Sequence, residues 1–129
     1  MVTRKVDDKG RIFLPEESLD RFTDHFAYFD YNPDNMEVYV FGINQMQEIK
    51  KEIELNYGPL NSGNIRARNA ARQIGSRIHS GYVQLDENTQ SRGRIVIPES
   101  ARRDCGIKPH DDLEILIQDD KIVLKKLQP

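Results

Sequence analysis

Arg11 and Arg94 each follow a glycine, and the residues around them repeat. Positions 10–17 read GRIFLPEE and positions 93–100 read GRIVIPES, at a constant offset of 83. Glycine accepts positive φ, so a Gly-Arg pair presents a forked, permanently charged guanidinium on a tight turn. Such a group grips two phosphate oxygens, or O6 and N7 of a guanine edge. The repeated core holds no nucleophile, no metal-ligand spacing and no phosphate-cradling loop, so binding of a polyanion is expected rather than catalysis. Asp7 or Asp8 could alternatively pair with Arg11 and merely order its turn. His25, His79 and His110 are far apart in sequence, and Cys105 has no zinc spacing or companion base. No metal site and no cofactor is expected from them, and Cys105 reads as a small packed residue.

The charge distribution agrees with the arginines. The chain carries a net charge of −2 over 129 residues. Residues 1–11 come to +2, 12–58 to −7, 59–105 to +4 and 106–129 to −1. Positive charge therefore gathers at the two Gly-Arg segments and between them, while an acidic region faces water. The balance of 31% charged and 37% hydrophobic residues fits a folded globular protein. No apolar run reaches the roughly 20 residues that span a bilayer, and Arg4 and Lys5 are followed by no apolar signal stretch. A single cysteine excludes an intrachain disulfide.

Several elements must position these groups. Strands are expected at 3–6 and 11–14 around a turn at 7–10, then a helix from Pro15 to about His25. A hairpin follows, 27–30 with 37–41, around Asn32-Pro33-Asp34-Asn35. Ile43, Met46, Ile49, Ile53 and Tyr57 predict a helix over 43–57 with a core-facing stripe. A second helix is expected over 64–79, with Ala67, Ala71, Ile74 and Ile78 on one face and Arg68 and Arg72 on the other. Then come a strand at 81–85, a polar loop at 86–93, a strand at 94–97 and a short helix at 98–105 capped by Gly106. A hairpin over 113–124 ends the pattern. Each end thus reads strand, turn, strand, helix, hairpin.

Residues 93–127, GRIVIPESARRDCGIKPHDDLEILIQDDKIVLKKL, resemble the DNA-binding domain of the AbrB and SpoVT transition-state regulators. TRKVDDKGRIFLPEE resembles the opening of the same domain, and the two together resemble the MraZ-like arrangement of paired AbrB-type units. The resemblance implies an α+β fold of duplicated swapped-hairpin β-barrel units, 1–42 and 81–129, joined by a helical connector at 43–80. It implies a sequence-specific transcriptional regulator, cytoplasmic and nucleoid-associated, whose partners are double-stranded DNA and further copies of itself, in a ring. The DNA contacts it implies are Arg4, Lys5, Lys9 and Arg11 from the first unit and Arg92, Arg94, Arg102 and Arg103 from the second. Asp7, Gly10 and Gly93 shape the turns. By the 83-residue offset, Glu87 stands at the place of Arg4 and Gln90 at that of Asp7. Alternatives are a MazE-like antitoxin, which also wraps a toxin, and an assembly module that uses the barrel without DNA.

Overall fold

The computed structural model describes residues 2–127. Strand β1 (Val2–Lys5) leads through a turn into β2 (Arg11–Phe13), and Pro15 opens a 3-10 helix, Glu16–Arg21. The hairpin β3 (Phe26–Asn32) and β4 (Glu37–Phe41) follows, then helices α1 (Ile43–Tyr57) and α2 (Ile65–Gly75). The second half contributes β5 (His79–Tyr82), β6 (Arg94–Val96), helix α3 (Glu99–Asp104) and the hairpin β7 (Asp112–Ile117) and β8 (Ile122–Lys126). The fold is α+β, and the strand pairs are antiparallel.

The strands are interleaved rather than segregated. A six-stranded sheet runs β1-β7-β8-β4-β3-β5. The early strand β1 pairs with the late hairpin, and β5 pairs with the early hairpin. The two hairpins meet at the centre, where Val38 faces Leu124 and Val40 faces Ile122. The remaining strands form a two-stranded ribbon, with Arg11 opposite Val96, Ile12 opposite Ile95 and Phe13 opposite Arg94. Exchanging each ribbon residue for its counterpart 83 positions away maps the ribbon onto itself. Two further bonds obey the same exchange: the Leu14 N–H donates to the Gly93 carbonyl and the Ile97 N–H to the Gly10 carbonyl, both at 2.9 Å.

Alternation explains the core. Ile12 and Ile95 turn inward from the ribbon and join Phe22, Phe29, Val38, Val40, Leu113, Ile122 and Leu124 in one apolar cluster. At roughly 1.5–3 kcal/mol for each large side chain buried, this cluster is the main adhesive between the two halves.

Three local expectations change. The stretch after Pro15 makes a 3-10 helix only to Arg21, because Phe22 turns into the core and His25 takes φ 65° before β3. The second helix stops at Gly75, and β5 begins at His79 rather than residue 81. The stripe on α1 is not core: only Ile53 is buried, Ile43, Met46 and Ile49 are half-buried, and Tyr57 is exposed beneath the Arg66 guanidinium. The two helices instead form a hairpin laid on the sheet. Asn64 locks it, accepting from the Ala67 N–H and donating to the Tyr57 and Pro59 carbonyls.

Candidate nucleic-acid interface

The two Gly-Arg turns lead into the two strands of the ribbon. In the first, the Asp7 N–H donates to the Arg11 carbonyl at 3.0 Å, enclosing residues 8–10. In the second, the Gln84 N–H donates to the Arg94 carbonyl at 3.4 Å, enclosing residues 85–93. Gln84, rather than Gln90, therefore holds the place that Asp7 holds in the first turn. The extra length of the second turn shifts every residue before it, so Glu87 lies in the loop and is no counterpart of Arg4, which lies on β1. Gly10 and Gly93 sit at φ +77° and +85°, where a side chain is strained. Both are also closely covered. A Cβ on Gly10 would run into the Arg102 guanidinium, and one on Gly93 would lie 2.9 Å from the Leu14 carbonyl oxygen.

Asp7 organises the first turn. Its Oδ1 accepts from the backbone N–H of Lys9 (2.9 Å) and of Arg11 (2.8 Å), and its Oδ2 accepts from Arg11 Nε at 2.6 Å. Burial pushes the Asp7 carboxyl up, but these bonds outweigh it and hold the group below the usual carboxylate range. The ordering ion pair to Arg11 thus exists, and it aims the guanidinium while leaving part of it exposed.

The second turn is held from across the molecule. Glu16, at the start of the 3-10 helix, accepts from Arg92 Nε at 3.0 Å on both oxygens and from its Nη2 at 2.7 Å. Arg92 Nη1 also donates to the Leu85 carbonyl. The Arg92 bonds hold the Glu16 carboxyl below its ordinary range. Arg94, by contrast, is half-buried, and its guanidinium has no ion-pair partner among the described residues. It lines an open groove of about 430 Å³ with Arg11, Gln84, Tyr82 and Val96.

The other expected contacts are dispersed. Arg4 and Lys9 are exposed. Lys5 pairs with Asp112 at 3.1 Å. Arg102 Nε donates to the Ile97 carbonyl at 2.9 Å, and its guanidinium lies across Gly10, so it braces the first turn from α3. Arg103 is exposed on α3, within 3.2 Å of Asp104. Cys105 is buried, and burial pushes its thiol up to about 11, which suits a packed side chain. Sequence reasoning missed Glu16, which grips Arg92, and the exposed Phe13 and Val96 on the ribbon. The period-two alternation of Arg11-Ile12-Phe13 and Arg94-Ile95-Val96 was the available signal for the latter pair.

Among the described residues no helix is long and apolar enough to cross a membrane. No protein-family model matches the chain. Over 37 residues, 29% of this chain, it is 54% identical to the transition state regulatory protein AbrB of Bacillus subtilis (strain 168), and the match spans 38% of that protein's length.

Proposed function

We propose that this chain is a transcriptional regulator of the AbrB type that binds duplex DNA through the ribbon and its two glycine turns. It does so without catalysis, in the cytoplasm and on the nucleoid, as a homo-oligomer. The observation that carries this reading is the ribbon itself: one antiparallel pair sets Arg11 and Arg94 on a common surface, where both line one open groove. A β-ribbon of this width fits the major groove, and turn arginines reach phosphates on either side. The likeness to AbrB over 37 residues supports the same reading.

The internal repeat, the self-mapping ribbon and the exchange of β1 and β5 between hairpins support an MraZ-like duplication, two swapped-hairpin units closing one core within a single chain. Residues 43–80 are then a connector. Fluorescence anisotropy on duplexes tiling the protein's own upstream region tests the function. Specific, salt-sensitive binding that Arg11→Ala and Arg94→Ala each weaken is expected. Binding that no duplex in the region supports, at low salt, would overturn it.

A further inference from the structure

The two ribbon strands turn four side chains of their own outward, with Tyr82 and Gln84 beside them in the groove. Arg11 stands opposite Val96 and Phe13 opposite Arg94, while Ile12 and Ile95 between them point inward. The arginines occupy one diagonal of this two-by-two block and the apolar residues the other. Diagonal neighbours on an antiparallel pair lie about 7–8 Å apart. Phe13 is 42% exposed and Val96 50% exposed. Lone exposed apolar residues are ordinary, but here the two lie at related positions, each flanked by one arginine on its own strand and one on the opposite strand. Phosphates would not select them. Base edges would, because the thymine C5-methyl is the apolar feature of the major groove.

We infer that Phe13 and Val96 read bases: they enter the major groove between Arg11 and Arg94 and contact thymine methyls, while the arginines take guanine edges or flanking phosphates. This rests on the duplex-binding function proposed above and adds what the site recognises. The ribbon maps onto itself except that phenylalanine exchanges with valine. The recognised site is therefore a quasi-palindrome at its centre whose two halves are unequal, with the stronger apolar preference on the Phe13 side.

The test begins with selection of duplexes from a randomised library by the full-length protein. Thymines at the centre of the selected site are then replaced one at a time by deoxyuridine, which removes only the methyl. The wild type should select central thymines and lose about fourfold in affinity for each contacted methyl. Phe13→Ala should weaken binding and abolish the response to deoxyuridine on one side only, Val96→Ala on the other. Phe13→Val should make the two halves equivalent. Both residues are exposed, so circular dichroism should show these variants folded. Selected sites without central thymine, indifference to deoxyuridine, or a change in oligomer size with unchanged DNA affinity would each overturn the inference while leaving DNA binding intact. A wild type that retains no duplex would overturn the parent function and the inference together.

Discussion

In the first Gly-Arg segment Asp7 grips Arg11 within a three-residue turn, and an arginine from α3 lies over the glycine. In the second, Gln84 stands where Asp7 would be, nine residues separate it from Arg94, and Leu19 from the 3-10 helix lies near the glycine. The nearly identical octapeptides thus sit in unlike surroundings. Arg11 is aimed by a carboxylate, whereas Arg94 has no carboxylate partner among the described residues. Conversely Lys9 is exposed and has no ion-pair partner among the described residues, whereas Arg92 is clamped by Glu16. Each turn offers one constrained cation and one unconstrained cation, in opposite order. The same guanidinium chemistry is pre-organised at one end of the ribbon and adaptable at the other.

The largest effect should come from removing both ribbon arginines. Arg11→Ala with Arg94→Ala should lower duplex affinity by roughly a hundredfold or more and flatten the salt dependence by about two, one for each phosphate left without its guanidinium. Unchanged affinity and slope in an anisotropy titration would break the comparison at its root.

The glycines should differ in stability. Gly93→Ala meets backbone at its left-handed position, whereas Gly10→Ala meets the movable end of Arg102. Left-handed strain of about 1–2 kcal/mol applies to both, and Gly93→Ala should cost more in urea unfolding. An equal cost would show that the covering side chains are irrelevant.

The two short helices should differ in DNA affinity. Arg102→Ala with Arg103→Ala removes the brace over Gly10 and an exposed cation, and should cost roughly tenfold. Arg21→Ala should cost at most about twofold, because Arg21 is committed to the Ser18 and Gln118 carbonyls. Equal losses at one salt concentration would cancel the difference between the helices.

Glu16→Gln should release Arg92. Duplex affinity should rise a few-fold and the salt dependence steepen by about one, because the second turn would then offer two cations without a carboxylate partner. A loss of affinity would show instead that the clamp holds Arg92 in its working position.

The smallest effect is on acid stability. The carboxyls of Asp7 and Glu16 are depressed in the folded state, so their contribution is complete above the ordinary carboxylate range and is lost as pH falls through their native values. Asp7→Asn and Glu16→Gln should each flatten the acid limb of a stability–pH curve. A limb of unchanged steepness would remove the carboxylates from the comparison.

Much of this was legible in the residues. Turn chemistry and alternation located the ribbon strands, the hairpins and α1 to within a few residues, because those signals are local. The burial of α1 was not legible, since periodicity at Met46 and Ile49 tells which face is apolar but not whether anything covers it. The alignment of the turns failed for a similar reason. The sequence shows a longer second loop, 86–93 against 7–10, but a fixed offset counts straight across it, and the hydrogen bond from Gln84 to Arg94 reveals the true counterpart of Asp7. The Glu16–Arg92 pair spans 76 positions, so no local pattern could report it.

The exchange of outer strands also governs the order in which the protein is made and assembled. Lys5 pairs with Asp112 across 107 positions, so β1 leaves the ribosome long before the hairpin that receives it exists. At about 5–20 residues per second, that first strand waits several seconds with its edge open. The first turn is ordered locally by Asp7, but its glycine is covered by Arg102 from the other half, and Gly93 meets Leu14 and Leu19 only once the second half is made. The ribbon is therefore complete only once both halves have been made, because β2 pairs with β6, and on the function proposed above a nascent chain has no finished face for duplex DNA.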